Sequence, residues 1–587
     1  MAPSTTGLIL LGLTSAAFAG VLPRYVEPRQ GQQCKCYEGD ACWPAEDEWD
    51  SLNKTVGGRL VKVIPPAAPC YNEFEGIPTY NEAKCEEVTI GWRNQPYMIE
   101  TGATPLRQYP SNNTCRPTED PTDTCTIGYL AEYLIMATEK EHIKAGIDFA
   151  REKNVHLAVR NTGHDFMGRS IAAGSLTINT HSFSQKEIIS SWSGPGDYSG
   201  GAVKVGAGVQ GRDLYRFLNQ QNPPVVAVGG ECPTVGFSGG YIQGGGHGPL
   251  STLKGMAADH ALEFDMITAK GEYVTANADK NPDLFWALKG GGPATFGIVT
   301  SVTVKTHEEV PVAGAFININ STHTTDSDLF WKAADAFHGL ANHYVDHNMF
   351  VYYELMELRL HIQPFTAPNM NAAELKEALA PLYEKLDALG VAYDTGIKEF
   401  DTFFEMYIDM YEDENAGDNT IIGGRFFARE DIENNQAGLT EAFRNAVQPP
   451  NYDLTGILIG HIVAPGIGNP TADNAIHPKW RDASSFSIAA LTVATNASLA
   501  EKEHAWDILT NTVDAGLIAA SPNGGAYVNE GNIEHPNWQE EYWGDNYPRL
   551  LGIRKEWDPE GLFYGKALVG TEEWDLVDEP PRLCKVA

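Results

Sequence analysis

The pattern of apolar and polar positions changes character along the chain. Up to about residue 124, apolar residues come in short runs such as Leu60 to Ile64, scattered among Pro, Asn, Glu and Cys. That is too few for an independent core, and it describes a stapled extension wrapped on a larger body, with a structural role. From Thr126 helical and strand periods alternate: Ile143, Ile147 and Ala150 mark one face of a helix over Glu139 to Lys153, and the strand Leu157 to Val159 follows. Further strands are predicted at Ser175 to Ile178, Ala202 to Val205 and Val225 to Val228, with a helix at Arg212 to Gln220. Ala261 to Thr268 and Tyr273 to Thr275 form a hairpin around Lys270-Gly271. Pro282 to Leu288 is a short helix, and Gly297 to Val304 a β-branched strand that closes the unit.

From about Glu308 to Ala519 the pattern predicts helices over a sheet, a separate cap. Leu329 to Tyr344 and Ala373 to Leu389 read as amphipathic helices, Met349 to Ile362 as a long strand or hairpin, Leu454 to Ile462 and Phe486 to Ala494 as strands, and Leu499 to Leu517 as a long helix. Gly524 to Gly565 then brings many aromatics, a helix beginning near Pro548 and a turn at Trp557-Asp558-Pro559. The fold class is α+β.

Length and charge narrow the function. At 587 residues the chain exceeds what one core holds, since cores stop growing near ~250–300 residues. The 42 Lys plus Arg against 77 Asp plus Glu give a net charge of -35, which repels nucleic acid and anionic membrane surfaces. Gly7 to Ala19 is an apolar run ending in Ala17-Phe18-Ala19, a signal-peptidase pattern too short to span a bilayer, so secretion and a mature start near Gly20 are expected. Asn53, Asn112, Asn320 and Asn496 open N-x-Ser/Thr sequons. Cys34, Cys36, Cys42, Cys70, Cys85, Cys115, Cys125 and Cys584 suffice for four disulfides and leave Cys232 odd. A monomer is expected.

The candidate chemistry lies in two glycine-punctuated stretches. VRNTGHDFMGRS, Val159 to Ser170, sets His164 in a polar turn straight after an apolar strand, where Asn161, Thr162, Gly163 and Asp165 offer backbone N–H groups to an anion. GGECPTVGFSGGYIQGGGHG, Gly229 to Gly248, sets Cys232 in a glycine run suited to backbone lying on a flat ligand. Other motifs carry less. Gly206, Gly208 and Gly211 spell GxGxxG, with Glu231 where a ribose-binding acid would stand, but the helix is short and no doubly wound sheet follows. Gly236-Phe237-Ser238-Gly239-Gly240 spells GxSxG without the strand and helix an elbow needs. No metal site is expected: His247 and His260 stand thirteen apart, no HExxH or paired CxxC occurs, and Cys34-Lys35-Cys36 sits in an oxidising compartment.

Taken together, the Gly163-His164-Asp165 turn, Cys232-Pro233-Thr234-Val235-Gly236, GGGPATFGIVT at Gly290 to Thr300 and the C-terminal NYPRLLGIRKEWDPEGLF resemble secreted FAD-linked oxidases of the vanillyl-alcohol-oxidase superfamily, in its berberine-bridge-enzyme-like branch. The resemblance implies a signal peptide at 1–19, a disulfide-rich extension at 20–124, an FAD-binding domain at 125–308, a substrate cap at 309–519 and a segment at 520–587 returning to the FAD domain. It further implies FAD bonded to His164 and also to Cys232. Asn161, Thr162, Gly163, Asp165, Ser170, Gly236, Gly240, Gly244, Gly245 and Asn529 would surround the cofactor. The commoner Gly-Gly-His-Ser form has Thr162 and Asp165 in its place here. Tyr527 and Glu354 are the candidate proton acceptors, with Tyr352 and His461 beside them on strands. The implied reaction takes a hydride from a small-molecule alcohol, sugar or related substrate and delivers electrons to molecular oxygen, giving hydrogen peroxide. A flavin-dependent dehydrogenase and a catalytically decayed, flavin-retaining glycoprotein are the alternatives.

Overall fold

The computed structural model describes residues 33–586 apart from 108, 113, 418, 468–471, 578 and 579. The expected signal peptide falls outside these residues. The cysteine-rich extension is knitted into the body it was expected to wrap. Its strand Leu60–Lys62 pairs antiparallel with Tyr133–Met136, which pairs in parallel with Ser175–Asn179, itself parallel to His156–Arg160. Helix Lys140–Glu152 crosses between two of these strands, and helix Glu46–Thr55 lies against it. Trp49, Leu52 and Val56 complete one core with Ile143, Ile147 and Ala150, and, against the expectation from its sparse pattern, the extension also has a small buried cluster of its own in Ala67, Ala68, Tyr71, Phe74 and Val88 beside Cys70 and Cys85.

A second, antiparallel sheet runs Tyr273–Asn277, Ala261–Ile267, Ile298–Lys305, Gly200–Gly206, Lys186–Trp192. The GxGxxG stretch ends its fourth strand. Added side chains at Gly206 and Gly208 would strike the carbonyls of Phe183 and His181, so these glycines serve close backbone packing. Ser238 of the GxSxG stretch is buried and donates to the Val205 carbonyl at 3.2 Å.

The cap is a seven-stranded antiparallel sheet, ordered Asp394–Phe400, Val312–Asn320, Arg359–Pro368, Phe350–Met356, Gly456–Ile462, Ala483–Thr492, Thr420–Ala428. One face is covered by helices Ser327–His338, Ala372–Leu389 and Gln436–Val447 and by the helical run from Leu499 to Ala520, through Phe330, Phe337, Leu379, Phe443 and Leu517. The helix expected over Leu329 to Tyr344 is broken at Gly339-Leu340 and resumes as Ala341–Asp346. Gly339 lies against the amide end of the Gln436 side chain, which a Cβ there would push aside. After the cap, helix Tyr547–Trp557 leads to Asp558, whose carboxylate accepts from the Leu562 and Phe563 amides. Phe563 then bridges Leu157, returning the chain to the first sheet.

Four disulfides pair Cys34 with Cys584, Cys36 with Cys42, Cys70 with Cys85 and Cys115 with Cys125, and Cys232 is a free thiol. Among the described residues no helix is long and apolar enough to cross a membrane.

Candidate functional site

Where the strand His156–Arg160 ends, the buried Arg160 guanidinium donates to the carbonyls of Met98, Ile99, Thr104, Asn161 and Thr162. The Gly163 carbonyl accepts from the Leu106 amide at 2.8 Å. The extension thus moulds the turn from outside, beyond the structural role its composition suggested. Gly163 has φ +84° with the guanidinium against it, so no side chain fits there. Next, His164 presents Nε2 to the Thr234 hydroxyl at 2.5 Å, and that hydroxyl donates to Gln95 Oε1 at 2.6 Å. Because Thr234 gives its one proton to Gln95, it accepts from His164, which fixes the Nε2–H tautomer and leaves a lone pair on Nδ1. Burial, then Arg107 and Arg160, hold the imidazole neutral, its pKa down to about 3.

The glycine-rich stretch packs on the same turn. Thr162 Oγ1 accepts from the Gly236 amide at 3.2 Å, and a Cβ at Gly236 would fall on the Asn161 side chain. Asn161 donates to Thr180 and to the Ala207 carbonyl, and among the described residues its buried Oδ1 has no partner. The Asp165 carboxylate is turned back on its own loop, accepting from the Met167 amide and from the amide and hydroxyl of Ser170. It therefore leaves the anion-facing side of the turn clear.

His164, Cys232, Asn161, Gly163, Asp165, Ser170, Gly236, Gly240, Tyr527, Asn529 and Glu354 all line one cavity of about 620 Å³. Thr162, Gly244 and Gly245 stand behind its wall: Gly244 is pressed on Asn529 and Gly245 on Ile476 and Met256. The volume is in the range of ligand sites. A bare-backbone floor with Arg107, a neutral imidazole and a thiol around it fits FAD.

The uncovered face of the cap sheet forms the roof, and its register sorts it into two halves. Glu354 pairs with His361 on one side, and Arg359 reaches Glu354 at 3.2 Å. Across the sheet Ile459 faces Ile488, Ile457 faces Ala490, and Ala490 faces Ile422. His461, opposite Tyr352, marks the seam.

Two imidazole–carboxylate pairs meet beneath it. His461 Nε2 lies 2.9 Å from Glu231 Oε1, His247 Nε2 lies 3.2 Å from Glu530 Oε2, and the two rings are 4.7 Å apart. Burial would raise the Glu231 pKa, yet His461 and His247 hold it down to about 2. Burial would lower that of His247, but Glu530 and Glu231 raise it overall. Glu231, His247 and His461 bring one ligand atom each within 4.8 Å of one another, a spacing that sequence distance hid. Tyr527 is differently placed: its oxygen accepts from the Gly246 amide and from Asn529 Nδ2 at 2.8 Å, and burial, then Glu530, push its pKa well up. Sequence reasoning saw Glu231 only as a ribose acid and His247 only in the metal search. It missed Glu530, Glu414, Gln95 and Arg107, which stand in loops or short helices with no motif around them.

Comparison with known proteins points to the same cofactor. The family model for an FAD binding domain matches residues 131–277, and that for berberine and berberine-like proteins matches 526–567. The FAD-linked oxidoreductase ZEB1 of Gibberella zeae is 34% identical over 591 residues, covering 100% of both chains. The crystal structure of the VAO-type flavoprotein MtVAO615 from Myceliophthora thermophila superposes with TM-score 0.87 at 31% identity, covering 94% of this chain and 100% of that one. Glucooligosaccharide oxidase from Acremonium strictum, described as holding 6-S-cysteinyl, 8α-N1-histidyl FAD, shares the fold with TM-score 0.59 at 18% identity, over 75% of this chain and 91% of that one.

Proposed function

The chain belongs to the FAD-linked oxidoreductases of the vanillyl-alcohol-oxidase type, with a berberine-like C-terminal segment, and from that premise we propose that it is a secreted oxidase bonded to its flavin through both His164 and Cys232. The observation that carries the proposal is the pair of nucleophiles on one cavity wall, with His164 Nδ1 already bearing a free lone pair. Bound FAD supplies the two-electron acceptor. The four disulfides and the sequons support an oxidising, extracellular setting.

The chain's own part is to orient the substrate and move one proton. Glu231 adjoins the flavin-bonding Cys232 and is held ionised by His461 and His247, so it accepts the hydrogen bond of the substrate hydroxyl, and the buried cluster it forms with His461, His247 and Glu530 shares the proton released as the carbon-bound hydride leaves. Tyr527, whose oxygen already accepts two hydrogen bonds, stays protonated and braces the Gly240 to Gly246 backbone with Asn529. Glu354, paired with Arg359, belongs to the polar half of the roof. The roof favours a substrate with a polar end under Glu354, His361 and Arg359 and an aliphatic or alicyclic body under Ile422, Ile457, Ile459 and Ile488. A saccharide would leave hydroxyls facing isoleucines, at the cost of unmet hydrogen bonds.

The test is made on the secreted protein. Its yellow colour should survive acid denaturation, peptide mass analysis should find flavin bridging the His164 and Cys232 peptides, and an oxidisable alcohol should bleach it anaerobically until air restores the colour with release of peroxide. Flavin freed entirely by acid would refute the covalent reading, and a bleached protein that air does not reoxidise would refute the oxidase.

A further inference from the structure

Glu414 stands against the Cys232 thiol. It comes from the segment between helix Phe403–Met410 and strand Thr420–Ala428, and its Oε1 accepts from Sγ at 2.5 Å. Its Oε2 receives Gln95 Nε2 and Arg107 Nη2, each at 3.4 Å. Gln95 also accepts from Thr234, which faces His164. One hydrogen-bonded path therefore joins His164, Thr234, Gln95, Glu414 and Cys232. Both flavin-bonding groups sit at its ends.

Their needs differ. His164 already offers a lone pair, whereas a thiol must lose its proton before sulfur attacks. Burial, then Glu414 and Glu231, push the Cys232 pKa well up, so a free thiolate does not accumulate at neutral pH. The Glu231 carboxylate meets His461 rather than Sγ, and the Tyr407 hydroxyl is given to the Glu231 carbonyl. Among the described residues Glu414 is the carboxylate bonded to Sγ.

We infer that Glu414 is the base for the second flavin bond, taking the Sγ proton as sulfur bonds to the ring, while Gln95 and Arg107 hold its carboxylate in place. This rests on the two-bond reading above. The S–H bond breaks and an S–C bond forms. The hydrogen on the attacked ring carbon leaves as a proton, and the two electrons released pass through the ring to dioxygen, which becomes hydrogen peroxide. A carboxylate so close repels a separate thiolate, so proton transfer and sulfur attack occur together. Glu414 ends neutral beside a neutral thioether.

The experiment follows the fraction of flavin-bridged Cys232 peptide in purified Glu414→Gln with time, by mass analysis and by counting reactive thiols in denatured protein. The bond to His164 should remain complete. The bond to Cys232 should form about 100-fold more slowly, the usual effect of losing a general base, should speed up as pH rises, and should leave one free thiol per chain meanwhile. Glu414→Asp should restore part of the rate. Should Glu414→Gln not accumulate, Glu414→Ala with added acetate serves, acetate restoring the bond. Cys232 bonding at the wild-type rate in Glu414→Gln, or in Glu414→Ala without acetate, would overturn the role of Glu414. Wild-type protein bonded only through His164 would instead refute the two-bond reading itself.

Discussion

Every nitrogen of the Arg160 guanidinium ends on a backbone carbonyl, and the carbonyls come both from the extension and from the turn that carries His164. Replacing it with Met leaves several buried acceptors unmet. Arg160→Met should therefore lose on the order of 3–5 kcal/mol, read by denaturant unfolding, and should lose acid-stable flavin as the turn relaxes. Glu231→Gln makes a different prediction. It removes an interaction realised as the substrate proton moves, so kcat should fall roughly 10²–10⁴-fold while KM changes little, and reoxidation of reduced enzyme by air should keep its rate. Loss in KM alone would assign Glu231 to binding. That His164 and Cys232 would meet at one cavity was legible in the sequence, because each sits in a glycine-punctuated turn that lets backbone approach a ligand, while their bonds to flavin were implied by the resemblance alone. Glu231, Gln95 and Glu414 were not, because a lone polar residue carries no period, and their meeting depends on three distant segments converging.

Elements were legible where their pattern is local. The helix over Ala372–Leu389 and the hairpin of Ala261–Ile267 with Tyr273–Asn277 follow from spacing and from Lys270-Gly271. The strand Thr420–Ala428 escaped notice because Gly423 and Gly424 interrupt it, and both are needed there: side chains would strike Asp514 and the Glu530 carbonyl. Lys186–Trp192 escaped because it is an edge strand without a buried face. The two-sided roof could be seen only once strand order was known, since its halves come from strands far apart in sequence. It predicts that Ile459→Asn should lower kcat/KM by about 10-fold or more for alcohols with an aliphatic body, as expected of a lost apolar contact worth about 1–3 kcal/mol, and should leave small polar alcohols nearly unaffected. A panel of paired substrates measures it. Equal losses for both would mean that the aliphatic half does not touch the substrate.

At the scale of the whole molecule, burial sets the response to acid. His156, His307 and His338 have pKa values lowered to about 3, and His260 and His477 to about 4, each first by burial. Unfolded, each takes a proton near the ordinary 6.5, so the unfolded state gains protons as pH falls through that window and native stability drops. Glu132 and Asp514, both raised to about 7 by burial, act in the opposite sense, binding protons in the native state first. The five histidines outnumber the two acids. The melting temperature should fall by roughly 5 °C or more between pH 7 and pH 4, as scanning calorimetry would read, and a rise would mean that the histidines are charged in the fold. Acid alone, however, does not open the molecule's outline. The bond between Cys34 and Cys584 spans 550 positions and closes the backbone into a hoop, so a protease that nicks the exposed turn at Pro450 to Tyr452 leaves two pieces still joined through that disulfide. Both halves of a cut molecule remain tethered, and in a protease-rich surrounding a single cleavage becomes an event the protein can survive.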